Sequence, residues 1–529
     1  MAQIKTYFRS HHWRHENFST EWRYSQCGTF WQNSAPLQQS NSLESFAEAL
    51  TSLNGFYAVM QQQPGKLLAA VDHIRSIPLF YGQRQGRVFV SDEAEWVRQQ
   101  VGDELMDDQA RQEFQLTGYV TGLDTLFPNV KQLQAGECLM VTEQTGTPKV
   151  ETQRYYRFLH TEPSEYDETS LRESLDQAAV ASVQRLINYA NGRQIVVPLS
   201  GGYDSRLIVT LLKRLDYRNI FTFTYGVAGN KESQYSKQVA EALGLRWHFV
   251  EYSNELWRNA WQSDERWQYQ KWGSGWSSIA HVQDWLAVKL MKEQGSIDND
   301  AIFVPGHSGD FVAGSHIPDA AFSGEALNLE DVCHALFKGH YKLAPTTTFD
   351  TKEREWIERI KETTGSTKVE HAWQYADTYE KWDWQERQAK FICNSVRVYE
   401  FFGYDWWLPL WDKEFLYFFE NLPLTFRNHH WYINYVQAEY SANATQDDLN
   451  FVGNASTSGV IRKISRLRVI EFLRLRNVLR KIYKAFFAPL NYLVLGGQYN
   501  LKEVKKLTAQ GYSSNGLLAF FFLKKCDDD

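Results

Sequence analysis

The sequence predicts an α/β protein, in which a β-rich, sandwich-like N-terminal domain precedes a doubly wound parallel sheet with helices on both faces. Two observations predict this class. Short apolar and β-branched runs separated by turn residues occupy the first 155 positions, and strand-like and helix-like runs alternate from residue 195 onward. Such alternation is typical of parallel sheets built from strand–helix–strand units. We expect three units, at residues 1–155, 165–455 and 456–529.

The first unit is marked by short strand candidates. Leu67–Val71 and Val88–Val90 are apolar runs that follow the turn residues Gly65 and Gly86, and residues 126–141 continue the pattern. Runs of this length bounded by glycine are typical of strands.

The second unit opens with a predicted helix over 168–190, where apolar residues recur at spacings of three and four. We then expect strands at 195–199, 220–225, 247–251 and 301–305, and helices at 204–215, 233–243 and 277–292. In a parallel sheet of this kind, ligands bind beyond the carboxyl ends of the strands. Residues 320–460 are expected to form a mostly helical layer on the sheet.

The first strand of this sheet runs into a turn that favours phosphate binding. Residues 196–205 are Val-Val-Pro-Leu-Ser-Gly-Gly-Tyr-Asp-Ser, and a helical run follows from Arg206. Backbone N–H groups at a helix N-terminus attract anions, and glycines let the backbone approach a phosphate closely. Asp204 adds a hard oxygen ligand for Mg²⁺. The simpler alternative is a capped helix after a buried strand.

A second turn is expected at the same edge of the sheet. The strand at 301–305 continues into Gly-His-Ser-Gly-Asp at 306–310, and the carboxyl ends of parallel strands meet at one edge. We therefore expect Asp204 and Asp310 to converge on one cation that bridges a triphosphate, with His307 beside them. The alternatives are that Asp310 caps a helix and that His307 is an ordinary turn histidine.

The bulk composition disfavours several classes of protein. The 529 residues are 43% hydrophobic and 22% charged with a net charge of −7, so no global attraction to nucleic acid is expected. The five dispersed cysteines argue against a disulfide framework and a zinc site, and they fit a reducing cytoplasm. No signal peptide is expected, and no run reaches the ~18 apolar residues that span a bilayer.

The chain resembles the asparagine synthetase B superfamily of ATP-pyrophosphatase amide-forming ligases in two stretches of the second unit, in a set of segments of the first unit and in a weaker fourth match. Leu199–Ser205 is similar to the family's Ser-Gly-Gly-x-Asp-Ser loop, and residues 305–310 stand where the family has Ser-Gly-Glu-Gly-Ser-Asp. A weaker match sets Pro-Leu-Trp-Asp at 409–412 against Pro-Phe-Leu-Asp. The segments that resemble the family's N-terminal glutaminase domain are Asn54–Val59, Asp72–Tyr81 and Phe89–Glu93.

The resemblance implies a glutaminase-like first unit, a synthetase second unit and the activity of an AMP-forming carbon–nitrogen ligase. With ATP and Mg²⁺ bound, a substrate carboxylate would attack the α-phosphate to give an acyl-adenylate and pyrophosphate. Ammonia or an amine would then displace AMP and form an amide. By this match Asp204 and Asp310 would hold Mg²⁺. The nucleotide or its pyrophosphate would contact Leu199, Ser200, Gly201, Gly202, Ser205, Tyr225 and Gly306.

The N-terminal unit departs from the family at its nucleophile. Members that use glutamine begin with a cysteine once methionine is removed, whereas position 2 here is Ala2. Cys27 is internal and has no free α-amine to act as its base, so we expect no intrinsic glutaminase activity. Nitrogen would come from free ammonia, a partner glutaminase or a substrate amine.

Two further departures concern the synthetase unit. His307 stands where asparagine synthetases have a glutamate thought to help deprotonate the attacking amine, and histidine can serve as that general base. We therefore expect a substrate other than aspartate. Trp407 stands in place of the arginine in the family's Glu-x-Arg-x-Pro segment, which predicts a remodelled acceptor pocket. The family's late catalytic lysine has no clear counterpart.

The third unit contains a strongly basic segment. Arg462–Lys484 holds nine Lys or Arg residues and one acid, and its apolar residues recur at helical spacing. One interpretation is peripheral contact with the anionic inner surface of a membrane. The other is a helix packed on the acidic body with a solvated basic face.

The leading interpretation is amide formation on an adenylated carboxylate, with a sugar uronate of surface-polysaccharide biosynthesis as the preferred substrate. Plain asparagine synthesis from aspartate stays open, as does a catalytically inactive scaffold derived from the same fold. A thiolating or tRNA-modifying pyrophosphatase is disfavoured because paired cysteines and a basic body are absent.

Overall fold

Two β-sheets form the N-terminal part of the protein in a computed structural model that describes residues 3–19, 22–145, 147–348, 352–444 and 499–528. One sheet has the strand order β1-β7-β6-β8 and the other β10-β9-β5-β4-β3-β2. The strands are β1 (Ile4–Tyr7), β2 (Arg14–Asn17), β3 (Arg23–Phe30), β4 (Gly55–Gln63), β5 (Lys66–Val71), β6 (Phe80–Arg84), β7 (Arg87–Ser91), β8 (Val130–Gln132), β9 (Glu137–Thr142) and β10 (Lys149–Arg154). The helices of this part are α1 (Ala35–Gln38), α2 (Leu43–Thr51), α3 (Ala94–Val101) and α4 (Asp108–Thr117).

Strand β4 shows why the larger sheet is buried on both sides. Successive side chains of a strand point to opposite faces. Phe56 and Ala58 belong to the main hydrophobic core, whereas Tyr57 and Val59 belong to a second cluster beneath α1 and α2. The β-rich, sandwich-like N-terminal domain predicted from the sequence is confirmed.

The second part is built on a parallel sheet with the strand order β13-β12-β11-β14-β15. Its strands are β11 (Ile195–Pro198), β12 (Ile220–Gly226), β13 (Arg246–Glu251), β14 (Ile302–Phe303) and β15 (Asp405–Trp406). The first strand of this sheet along the chain, β11, lies at its centre. Strands β12 and β13 lie on one side of β11, and β14 and β15 lie on the other. The turns after β11 and β14 therefore lie side by side at the switch point where ligands bind in such sheets.

Helices flank this sheet, and the predicted α/β class is confirmed. They are α5 (Glu168–Ala190), α6 (Tyr203–Arg214), α7 (Lys231–Ala242), α8 (Asn254–Trp261), α9 (Asp264–Ser274), α10 (Trp285–Glu293), α11 (Gly309–Val312), α12 (Leu329–His340), α13 (Glu353–Thr364), α14 (Ala372–Asp383), α15 (Arg397–Phe401), α16 (Lys413–Glu420) and α17 (His430–Asn443). A π-helical segment, Trp384–Ile392, follows α14 directly. Helix α6 packs against α5 and α17, and α7 packs on β12 and β13.

One sequence-based helix is wrong in its first half. A helix was expected over 277–292, but α10 begins only at Trp285. The preceding backbone instead bonds to the N-terminal part, where Val120 N donates to Ser277 O at 2.8 Å and Ile279 N donates to Gly118 O at 2.8 Å. Pairing with the N-terminal part has therefore taken the place of helical hydrogen bonds at residues 277–279.

Buried polar contacts join the two parts. Asp412 accepts hydrogen bonds from Asn54 Nδ2 at 3.2 Å and from Arg185 Nε at 2.6 Å. On the π-helical segment, buried Lys390 pairs with Glu386 at 2.6 Å and donates to Val120 O at 3.0 Å. The Pro-Leu-Trp-Asp motif thus contributes Asp412 as a contact between the parts.

The chain ends in two helices, α18 (Leu501–Gln510) and α19 (Ser514–Asp528). Helix α19 packs on α4, with the Phe522 and Phe114 rings 5.7 Å apart and an Arg111–Asp527 ion pair at 2.6 Å. The basic segment Arg462–Lys484 lies outside the described residues. Across the ranges that are described, every helix falls short of the length and apolar character needed to cross a bilayer.

Candidate active site

The turns after β11 and β14 meet so closely that glycine is required at two positions. A Cβ atom on Gly306 would lie 2.5 Å from the backbone nitrogen of Ser205, and one on Gly309 would lie 2.5 Å from Asp204 Oδ1. Side chains at these positions would push the turns apart. The two turns, which are far apart in the sequence, are therefore in direct contact in the structure.

The turn after β11 is organised by its own serines. Ser200 N donates to Ser205 Oγ at 3.2 Å, and Gly202 N donates to Ser200 Oγ at 3.1 Å. Gly202 is the N-cap residue of α6 and has no side chain with which to cap it. Because the first N–H groups of a helix lack intrahelical acceptors, this end of α6 provides donors and a positive dipole end for an anion.

The structure brings the two predicted aspartates into contact. Asp204 Oδ2 accepts a hydrogen bond from Asp310 N at 3.1 Å, and Asp204 Oδ1 accepts one from the Tyr432 hydroxyl at 3.1 Å. Asp310 Oδ1 accepts from Phe311 N at 2.8 Å. Asp310 lies in the first turn of α11, and Ser308 rather than Asp310 occupies the N-cap position.

The electrostatics of this pair favour a bound cation. Burial and the neighbouring charge of Asp310 raise the pKa of Asp204 to about 7. The side chain of Asp310 is 49% exposed, so it faces solvent. Carboxylate oxygens suit Mg²⁺, which usually takes one or two carboxylates and completes its shell with water and phosphate oxygens. In the described part of the chain, no group of three or more His, Cys, Asp or Glu residues could hold a metal by itself.

His316 links Asp310 to a buried acid. Its Nδ1 donates to Asp383 Oδ2 at 2.6 Å, and its Nε2 lies 3.7 Å from Asp310 Oδ2. Burial acts to lower the pKa of His316, but the charges of Asp383 and Asp310 outweigh it and raise that pKa to about 10. Although burial opposes it, the His316 contact also holds the pKa of Asp310 below its usual value.

His307 lies in the turn after β14 and is held by a serine. Its Nε2 hydrogen-bonds to Ser395 Oγ at 2.6 Å. Burial lowers the pKa of His307 to about 4, so the imidazole is neutral at physiological pH. The next residue, Ser308, has a left-handed backbone with φ of 70° and donates its hydroxyl to Gln388 Oε1 at 2.7 Å. Non-glycine residues in this conformation cluster at functional sites.

The remaining residues of the predicted site lie around the same edge of the sheet. Leu199 has a buried side chain, and its carbonyl accepts from Thr224 Oγ1 at 2.6 Å. Tyr225, near the end of β12, stacks on Tyr252 with ring centroids 5.2 Å apart. Trp407 instead packs on Tyr189 and on the N-terminal part, with its ring 4.8 Å from that of Phe56.

Sequence reasoning missed the groups that position these residues. Tyr432, His316, Asp383 and Ser395 come from four separate places in the chain, and none of them forms part of a local motif. The only signal for His316 was its place six residues after Asp310. Spacing of that kind is uninformative without the fold.

Comparison with known families finds two matches. The model of the asparagine synthase family, "Asparagine synthase", matches residues 174–433, and that of the "Glutamine amidotransferase domain" matches residues 42–156. Asparagine synthetase [glutamine-hydrolyzing] 1 of Bacillus subtilis (strain 168) is 25% identical over 227 residues, which is 41% of this chain. The match spans only 35% of that relative's length.

Solved structures show weaker likeness. An NH3-dependent NAD synthetase from Campylobacter jejuni is 17% identical, covers 28% of this chain and 61% of its own, and has a TM-score of 0.20. A glutamine phosphoribosylpyrophosphate amidotransferase from B. subtilis is 12% identical over 56% of this chain and 63% of its own, with a TM-score of 0.18. At TM-scores this low, neither supports an argument about this chain.

Proposed function

Because the chain belongs to the asparagine synthetase family, we propose that it is an ATP-dependent ligase that adenylates a carboxylate and joins it to ammonia or an amine. A substrate carboxylate oxygen bonds to the α-phosphorus of ATP as the bond to the bridging oxygen breaks, and pyrophosphate leaves with the electron pair. The nitrogen then bonds to the acyl carbon, and AMP departs. The observation that carries this proposal is the contact between Asp204 and Asp310 at the switch point.

The turn after β11 is suited to hold the leaving pyrophosphate. Charge develops on that group as it departs, and oriented N–H donors stabilise such charge without reorganising. We assign this role to Ser200, Gly201, Gly202 and Ser205. We assign nucleotide contacts to Leu199, Tyr225 and Gly306.

Asp204 and Asp310 fit a magnesium ion because the two residues are in contact and the charge of Asp310 helps to raise the pKa of Asp204, a repulsion that a bound cation would relieve. Mg²⁺ held there would neutralise charge on the phosphates. The protein keeps the two carboxyls in position by separate contacts. Tyr432 and Asp310 N fix Asp204, while Phe311 N and His316 fix Asp310.

We propose that His307 takes the proton from the attacking nitrogen. A general base must be unprotonated at the working pH, and burial keeps this imidazole neutral. Its hydrogen bond to Ser395 fixes the ring. Ammonia, delivered free or by a partner glutaminase, and a substrate amine are all compatible with this role.

For the narrower reaction, we propose amidation of a sugar uronate in surface-polysaccharide biosynthesis. The support is His307, which replaces the glutamate that the asparagine-forming enzymes carry. Plain asparagine synthesis is the second candidate within the family. An inactive scaffold is disfavoured because Asp204, Asp310 and the serines of the β11 turn retain mutually consistent hydrogen bonds.

The test is pyrophosphate release, together with stabilisation of the protein by ATP and Mg²⁺. ATP–Mg²⁺ at about 100 times its Kd should stabilise the wild type by about 2.7 kcal/mol. Asp204→Ala should abolish this stabilisation and pyrophosphate release, whereas Asp300→Ala, at an exposed aspartate, should change neither. Release should be screened over carboxylic acids and uronates with ammonium present. No ATP response in the wild type would overturn the proposal.

A further inference from the structure

A cavity of about 370 Å³ lies beside the aspartate pair and has no role in the scheme above. His316 forms part of its wall, and the same imidazole lies 3.7 Å from Asp310 Oδ2. A molecule in this cavity is thus separated from the proposed phosphate site by one side chain. Volumes of a few hundred Å³ are typical of sites for small molecules larger than an amino acid.

The described part of the cavity wall carries more positive than negative charge, because Arg387, Lys342 and His316 face the single carboxylate of Asp383. Arg387 is partly buried and lines the cavity, and within the described ranges it forms no hydrogen bond or ion pair. Lys342 adds a second, exposed cation to the wall. A guanidinium presents a planar fork of donors that matches a carboxylate or a phosphate.

The acidic group of the wall is already engaged. Asp383 is the single Asp or Glu among the described lining residues. Its Oδ2 accepts from His316 Nδ1 at 2.6 Å, and its Oδ1 accepts from Gln388 Nε2 at 3.4 Å. An ammonium group in the cavity would therefore meet three cations, Arg387, Lys342 and protonated His316, and no carboxylate without a cationic partner in the described wall.

The rest of the polar wall is neutral. His340 lies between the hydroxyls of Tyr119 and Tyr379, at 3.2 Å and 3.4 Å. Burial lowers the pKa of His340 to about 4, so it adds no charge at neutral pH. Neutral donors and acceptors of this kind suit hydroxyl groups on a ligand.

The segment that carries Arg387 is also tied to the turn after β14. Trp384–Ile392 is π-helical, a rare conformation that is frequent at functional sites. Gln388, next to Arg387, bonds to Ser308 of that turn, and buried Lys390 anchors the segment to the N-terminal part. The cavity and the turn are thus both contacted by one element.

We propose that this cavity holds the acceptor, and that the acceptor is a carboxylic acid with a second anionic group, such as a phosphate, and without an ammonium group. The inference rests on the proposed function, which requires a reacting carboxylate on the acceptor. We place that carboxylate on the side of the cavity that faces Asp310. The second anion pairs with Arg387. Aspartate is disfavoured because its ammonium group would lie among cations with no unpaired carboxylate among the described wall residues to bind it.

The test is calorimetric binding of two uronic acid phosphates, D-glucuronic acid 1-phosphate and D-galacturonic acid 1-phosphate, to the full chain without ATP. At least one should bind, and Arg387→Met should weaken that binding by at least about tenfold, as expected for loss of a charged hydrogen bond. Lys342→Met should weaken it less. Arg218→Met is the control, since Arg218 is 79% exposed and remote from the cavity wall.

Two comparisons separate this inference from the proposed function. Asp204→Ala should abolish the response to ATP but leave binding of the uronic acid phosphate intact. D-glucuronic acid, with one anionic group, and aspartate should both bind more weakly than the phosphate. Binding by neither phosphate, unchanged binding in a folded Arg387→Met protein, or aspartate binding as tightly as the phosphate would each overturn the inference.

Discussion

At the scale of single residues, the neighbours of each aspartate set the pKa of its carboxyl group. Asp204 has a raised pKa because burial and Asp310 both disfavour its charge. Asp383, by contrast, is fully buried yet keeps a pKa below its usual value because His316 and further cations outweigh the burial. Charge on Asp383 is thus stabilised by cations within the protein, whereas charge on Asp204 is opposed by its neighbour, which is consistent with the cation that we propose for Asp204.

We expect His307→Ala to separate the two half-reactions. Pyrophosphate release should persist, while amide formation should fall by about 10²- to 10⁴-fold, the usual contribution of a general base. Mass spectrometry of the amide and a coupled assay for pyrophosphate would measure the two. His334→Ala, at an exposed histidine, is the control. Equal loss of both products would contradict the assignment of His307 as base.

The pKa of His307 also sets an expected pH profile. Because burial lowers the pKa to about 4, the imidazole stays in its basic form as pH falls from 8 to 6. Amide formation should show no acidic limb from His307 in that range, and the limb should appear only as the pH approaches 4. A limb near pH 6.5 that disappears in His307→Gln would contradict this.

At the scale of elements, the site depends on the close approach of two turns. Strands β11 and β14 are neighbours in the sheet, and the turn after each one touches the other through glycine. Helix α17 then adds Tyr432 from outside the sheet. The order of the strands, rather than any single motif, makes the site.

We expect Gly309→Ala to damage this arrangement. The new Cβ atom would lie 2.5 Å from Asp204 Oδ1 and 2.7 Å from the Tyr432 hydroxyl, and overpacking of this kind costs about 1–3 kcal/mol. The ATP–Mg²⁺ stabilisation should be lost in a thermal melt. Gly324→Ala is the control for lost stability alone, because its φ of 76° strains an alanine backbone while its Cβ atom would meet nothing within 4 Å. A wild-type ATP response in Gly309→Ala would show that the turns can separate without loss of the site.

At the scale of the whole molecule, the N-terminal sandwich supports the parallel-sheet part through buried contacts. Trp384 Nε1 donates to His73 O at 3.0 Å, and Lys390 reaches Val120 O. The sandwich also buries its cysteines. Burial raises the pKa of Cys27 and of Cys138 to about 12. These thiols are protonated at neutral pH and are poor nucleophiles.

We expect the protein of this sequence to use ammonium but not glutamine. Glutamate release from glutamine, measured by an enzyme-coupled assay, should stay at background with ATP and an acceptor present. Cys27→Ala should leave ammonium-dependent turnover unchanged, because a buried thiol with a raised pKa has no role in it. Glutamate release that disappears in Cys27→Ala would contradict the prediction.

The alternation of strands and helices, the Ser-Gly-Gly turn and both aspartates could be predicted from the amino-acid sequence, because each depends on neighbouring residues and their backbone hydrogen bonds. Helix α5 was predicted with its observed bounds. Tertiary packing determined that residues 276–279 pair with the N-terminal part, and that His316, Tyr432 and Arg387 surround the site. Such convergence depends on packing between distant segments, which local spacing does not encode.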